Sequence, residues 1–229
     1  MIAASNARIA GFTFLLYIVA GIAGMNMYSH ATGGEGVAAK LTSIAQHLLQ
    51  VRMTIVLGLL QAACALVLAV TLYAITRDED PELAMLALAF RVGEGLLVVI
   101  PIRNSLGLLW LATAAGPKAP DSATLQVLGT YFLNGPNSSI SAIFFAIGSL
   151  LFSYLLLRGR IIPVLLAWLG IVASVLLVVG LPLQLAGFVS GSITSFLWIP
   201  MAAFEVPLGF WLLIKGVVPP TTSRVRMAN

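Results

Sequence analysis

The chain has 229 residues, of which 60% are hydrophobic and 9% charged, whereas an ordinary soluble domain is about a quarter charged. This excludes a soluble enzyme, and the net charge of +4 sits mostly on the flanks of apolar runs, where it fits anionic lipid headgroups and not nucleic acid. A lone cysteine, Cys64, excludes an internal disulfide and a cysteine-only metal site.

A bilayer core of roughly 30 Å needs about 20 apolar residues per helix. Six runs qualify, at residues 8–28, 51–76, 83–115, 140–157, 161–185 and 193–215. They are continuously apolar, without the alternation of barrel strands, so the predicted fold is all-α. It is a polytopic bundle of six transmembrane helices in a single domain over 1–229, with short amphipathic helices in the outer loops. The first run ends in Ser29-His30-Ala31, a sequence like a signal cleavage site, but it is longer than a signal core and is predicted to be retained.

Between the first two spans, Val37, Leu41, Ile44 and Leu48 recur every three or four residues. They predict a short helix over 35–50, resting on the outer membrane surface. In the second span Cys64 lies among Ala62, Ala63 and Ala65 and reads as a packing residue. A tight RDEDPE turn leads to the third span, and a tight RGR turn joins the fourth and fifth, so each turn makes an antiparallel hairpin. Before the fourth span, Pro120-Asp121-Ser122 predicts a helix start, followed by Leu125, Leu128 and Phe132. Asn134-Gly135-Pro136-Asn137 breaks that helix, and Ser138 or Ser139 is placed to cap the next.

Positive charge orients the bundle. Arg8, Arg77, Arg158, Arg160, Lys215, Arg224 and Arg226 share one side if both termini are cytoplasmic, leaving Lys40, Arg52 and Lys118 opposite. The third and sixth spans, each with a glutamate near a proline, would correspond in an inverted repeat of three spans and three.

The third span carries the most informative stretch, FRVGEGLLVVIPIRN, residues 90–104. At 1.5 Å per residue, Arg91 lies about 12 Å and Glu94 about 16 Å beyond Leu83, and Glu205 about 15 Å back from Lys215. All three reach one layer near the midplane. An uncompensated charge there costs at least about 2.5–3.5 kcal/mol, so the three groups should face inward and find partners. Arg91 is the one cation of the layer, and Glu94 is three residues on, within reach. Two carboxylates sharing one guanidinium leave an excess of negative charge unless one carboxyl holds a proton.

Pro200 and Pro207 flank Glu205 and deprive Phe196 and Ala203 of their usual helical donors, so the sixth helix is expected to be broken and movable. Higher up, Arg52, Arg103, Asn104 and His47, with His30, form a candidate anion or headgroup site at the outer interface. His30 and His47 have no fixed acidic or thiol companion, so neither a metal site nor a cofactor is expected. Nothing matches a zinc-protease helix, a nucleophile elbow, a phosphate loop or a dinucleotide fingerprint.

The stretches ARIAGFTFLLYIVAGI, LYAITR, LALAFR, YLLLRGRIIPVLLAWLGI and FEVPLGFWLLIKGV resemble the bacterial membrane family called domain of unknown function 4386. Their order and spacing match over nearly the whole chain. The resemblance implies a bacterial six-helix inner-membrane protein and singles out Arg91 and Glu205 at the matching positions. Before the fourth span, relatives often carry an aromatic, histidine-containing stretch where this chain has FLNGPNSS, so a role for that histidine does not transfer. The family carries no established reaction.

Three functions are open at this point. The leading one is binding of a small apolar or cationic molecule, or a lipid, in a central cavity at Arg91, Glu94 and Glu205, with transport or sensing to follow. The second is a structural or regulatory protein whose charges clamp helices. The third is an intramembrane enzyme with Glu94 or Glu205 as acid or base. Membrane lipids are expected partners, nucleic acid is not, and small residues such as Ala20 and Gly24 could pack helices within one chain or between copies.

Overall fold

The computed structural model describes residues 2–114, 119–134 and 137–217. Among them run nine helices and no strand: α1 (Ile2–Ala31), α2 (Gly36–Gln46), α3 (Leu48–Thr76), α4 (Pro81–Leu97), α5 (Val99–Thr113), α6 (Ser122–Asn134), α7 (Asn137–Arg158), α8 (Val164–Leu185) and α9 (Gly191–Ile214). Six stretches are long and apolar enough to cross a membrane: Ser5–Ala31, Leu48–Thr76, Pro81–Thr113, Ile140–Arg158, Val164–Leu185 and Gly191–Ile214. The chain is a multi-pass membrane protein. Lys118, Arg224, Arg226 and the Gly135-Pro136 break lie outside the described residues, as do the side chains of Ser138 and Ser139.

The spans close into a ring, α1 against α3, then α4, α7, α8, α9 and back to α1. Inside it Phe14, Leu68, Leu72, Phe145, Phe152, Met201, Phe204 and Leu208 form one buried core. Large apolar side chains such as Val19, Val70, Leu165 and Phe196 stay exposed on the outer faces, where lipid and not water is the solvent. Gly11 of α1 lies against Gly209 and Leu213 of α9, so both termini reach one face of the bundle. The turns after α3 and α7 share that terminal face, since Arg158 Nη1 donates to Asp80 Oδ2 at 2.9 Å. The opposite, distal face carries α2 and α6.

Asp80 also starts α4. Its Oδ1 accepts the Leu83 amide at 3.1 Å, and Pro81, which has no amide hydrogen to satisfy, takes the first helical position. Asp80→Ala is expected to lower stability by about 0.5–2 kcal/mol, as seen in thermal unfolding in detergent, and Asp80→Asn to lose less because the cap survives. α8 stops at Gly187, whose φ of +80° suits glycine, while the Phe188 amide returns to the Leu183 carbonyl at 2.9 Å. At α6, the Thr124 amide bonds Asp121 at 2.7 Å, and that hydrogen bond holds the Asp121 carboxyl below its ordinary range.

Two expectations are corrected. The apolar face of α2 is turned to protein and not to lipid: Val37, Leu41 and Ile44 are buried, with Ala31, Val51, Leu108 and Leu111, in a second core formed with α5 and α6. A paired apolar face is covered more completely by protein than by headgroups, and Leu125, Leu128 and Phe132 of α6 pack on the same core. The sixth span is not broken either. α9 runs through Pro200 and Pro207 without interruption, because neighbouring helices support a proline-containing membrane helix. The interruption falls in the third span, at Val98 between α4 and α5, three residues before Pro101. Val98 keeps helical dihedrals of φ −58° and ψ −20°, and Pro81–Thr113 continues through it as one span.

Candidate functional site

Arg91 and Glu94 sit inside the ring, 1% and 2% exposed, with Glu205 at 7%. A charge three residues from its partner is about 60° round the helix, and the geometry follows: Arg91 Nη1 is 2.8 Å from Glu94 Oε2. The contact is close in charge but poorly aligned as a hydrogen bond, since Oε2 has no hydrogen-bond partner by geometry. The other oxygen is held better. Tyr17 of α1 donates its hydroxyl to Glu94 Oε1 at 2.8 Å, and Ser141 of α7 donates to the Glu94 carbonyl at 3.2 Å.

The arginine stem lies across α7 at Gly148, where an added Cβ would come within 2.9 Å of Cγ and 3.0 Å of Cδ. Its guanidinium carbon stands 4.9 Å from the centre of the Phe145 ring, a cation–π contact in a water-poor setting. Nε and Nη2 have no partner. Arg91 also lines a cavity of about 10 Å³ with Ser149, Ser153 and Glu205 among apolar neighbours. That is room for about one water molecule, and these polar groups are of the kind a buried water bridges. No ion pair within 4.0 Å joins Glu205 to Arg91, so the guanidinium is not shared by two carboxylates as expected from depth alone. Depth put Glu205 in the layer; its position on α9 sets it across the cavity.

A much larger space opens towards the distal face. A groove of about 480 Å³ runs between α1, α3, α5 and α6, within the usual range of ligand pockets. Gly21, Gly24 and Gly58 give it width, Gln61, Asn104, Ser105, Thr54 and Tyr28 give it polar atoms, and no charged residue lines it. Val98, Pro101 and Ile102, at the junction of α4 and α5, line one wall. Pro101 and Met25, which line it, are exposed on the surface of the bundle. Gln61 connects it to the charged layer: its amide donates to the Tyr17 carbonyl at 3.5 Å, and Tyr17 holds Glu94.

Residues 9–216 match the family described as Domain of unknown function (DUF4386). The chain belongs to that family. No curated protein and no solved structure matches this DUF4386 chain. Its buried layer therefore has to be understood from its own geometry.

The outer-interface cluster is not assembled as expected. Asn104 is buried and lines the groove, while Arg103, one position and about 100° away round α5, is exposed. Arg52 is exposed on α3, and no hydrogen bond or ion pair among the described residues joins either arginine to His47 or Asn104. His47 meets His30 instead, with ring centres 4.9 Å apart. Tyr17 and Gln61 escaped the sequence reading. The signal available was a polar residue near the middle of each of two apolar spans, and nothing in the order of residues joins Tyr17 to a glutamate 77 positions on.

Proposed function

We propose that this DUF4386 protein binds a small, uncharged, largely apolar molecule, lipid-like in character, in the groove between α1, α3, α5 and α6. One observation carries this: a cavity of about 480 Å³ has no charged lining residue, and Met25 and Pro101, which line it, are exposed on the surface of the bundle, where a ligand dissolved in the bilayer can reach them. Gln61, Asn104 and Ser105 supply hydrogen bonds that orient one polar end, while Met25, Ile55 and Ile102 cover the apolar part. A cation finds no counter-charge in this lining, which narrows the ligand to the neutral class.

The charged layer supports a second reading, that Arg91, Glu94 and Tyr17 act as a clamp. Its observation is the closure of the layer, whose cavity of about 10 Å³ is too small for an organic molecule. The two readings combine. The clamp holds α1, α4 and α7 in register, and Gln61 and Tyr17 carry that order to the groove floor. A hinge at Val98, where α4 gives way to α5, would let α5 swing over a bound molecule while α4 stays fixed. We also propose that the terminal face is cytoplasmic in a bacterial inner membrane, since among the described residues Arg8, Arg77, Arg158, Arg160 and Lys215 lie towards it and Lys40, Arg52 and Arg103 away from it.

Native mass spectrometry of the purified protein beside Gly58→Phe tests the groove. An added Cβ at Gly58 is in ordinary contact with Ile102 at 3.6 Å, so a larger side chain projects into the groove without striking backbone. The expected result is a neutral species retained by the wild type and reduced at least about tenfold in the variant, a difference of about 1.4 kcal/mol. Equal retention in both proteins, or a retained species with a permanent charge, overturns the proposal.

A further inference from the structure

At the distal face, the end of α1 meets the corner between α2 and α3. His30 stands in the last turn of α1, and His47 is the single residue separating α2 from α3. Their rings are perpendicular, at 87°, with centres 4.9 Å apart. Each ring is already held through Nδ1. His47 Nδ1 is 2.8 Å from the Ser43 carbonyl, which can only accept, so this nitrogen carries the proton and Nε2 keeps its lone pair. His30 Nδ1 is 2.9 Å from the Gln50 side-chain oxygen, an acceptor that pairs with the same Nδ1–H tautomer.

Two imidazoles whose Nδ1–H groups are tied to carbonyl oxygens, with both Nε2 lone pairs free, have the outer-sphere arrangement of histidine metal ligands. The spacing agrees. With a metal–nitrogen bond of about 2.0–2.1 Å, ring centres lie about 3.2 Å from the ion, so two ligands at right to tetrahedral angles stand about 4.5–5.2 Å apart.

We infer that His30 and His47 bind one divalent transition-metal ion of the zinc, nickel or copper class through their Nε2 atoms, tying the end of α1 to the α2–α3 corner. Neutral imidazoles without carboxylate favour these ions over magnesium or calcium. Among the described residues no group of three or more His, Cys, Asp or Glu side chains gathers, so the protein supplies two ligands and solvent completes the sphere at this face. Gln50 acts as a positioning residue for His30.

The test uses the full chain without a polyhistidine tag, purified in detergent and titrated with Zn²⁺ by calorimetry, with Co²⁺ absorption as a second readout. The wild type should bind about one equivalent. His30→Gln and His47→Gln should each weaken binding at least tenfold, and Gln50→Ala also about tenfold or more, the usual cost of losing an outer-sphere partner. His30 is exposed, so its variant has little packing to disturb. An imidazole ¹⁵N spectrum of the wild type tests the site without any variant: both rings should be Nδ1–H before Zn²⁺, with both Nε2 resonances shifting on addition. Absence of a bound equivalent, unchanged affinity in either histidine variant, or Nε2–H tautomers would overturn the inference.

Discussion

Arg91→Met is expected to lower the stability of the bundle by roughly 3–5 kcal/mol, the cost of leaving a buried carboxylate without its cation. Glu94 has Tyr17 and the arginine as its partners, and with the arginine gone a single phenol hydroxyl cannot balance a carboxylate in the interior of the ring. The methionine also abandons the Phe145 ring that the guanidinium faces. Thermal unfolding in detergent should show a large fall in midpoint. Adding Glu94→Gln to Arg91→Met should recover most of the loss, because the charge left behind is removed as well, and a double-mutant cycle gives the coupling directly. Glu205→Gln belongs to a different category. Glu205 has no ion-pair partner within 4.0 Å among the described residues, so a neutral side chain of the same shape should change the midpoint little. If Glu205→Gln proved as damaging as Arg91→Met, the clamp would have to be redrawn around α9.

The second large effect is steric. Gly11→Ala should destabilise the protein by about 1–3 kcal/mol, towards the upper end, since overpacking is costly when the neighbours cannot yield. A Cβ on Gly11 would collide with the Leu213 amide nitrogen and come within 2.6 Å of the Gly209 carbonyl, both backbone atoms of α9. Relief requires separating α1 from α9, and these two helices carry Tyr17 and Glu205. Gly24→Ala on the same helix is the control. There the nearest atom is Leu57 Cβ at 3.8 Å, and replacing a helical glycine by alanine should be neutral or stabilise by about 0.5–1 kcal/mol. The same substitution 13 positions apart in α1 is thus expected to change the thermal midpoint in opposite directions.

The Arg91–Glu94 pair was legible in the residues because it is local: three positions on one helix bring two side chains together in any helix that forms. Glu205 was legible only as a depth. Counting from Lys215 placed it at the right level, but depth carries no angle round the bundle, and α9 presents it to a water-sized cavity that Arg91 also lines, without an ion pair within 4.0 Å. Tyr17 and Gln61 were invisible for the same reason, since their roles arise from the packing of α1 against α3 and α4. Proline misled in the sixth span. Pro200 and Pro207 lie within a continuous helix, whereas among the described residues the one interruption within a span is at Val98, three residues before Pro101, where Gly58 on the facing helix leaves space.

The chain's own composition and order determined that it is a membrane bundle of six spans, with capped turns at Asp80 and a charged pair buried in the third span. Those features depend on hydrophobic length, local capping and spacing along a single helix, all of which act over a few residues. Only the tertiary structure decided that the spans close into a ring, that Tyr17 holds Glu94, that the usable space lies in an uncharged groove and not at the charges, and that His30 meets His47. Each depends on rotation and tilt between helices, and in lipid these are set by where small residues such as Gly11 and Gly148 allow close approach, since an apolar surface gains little from choosing one helix over another.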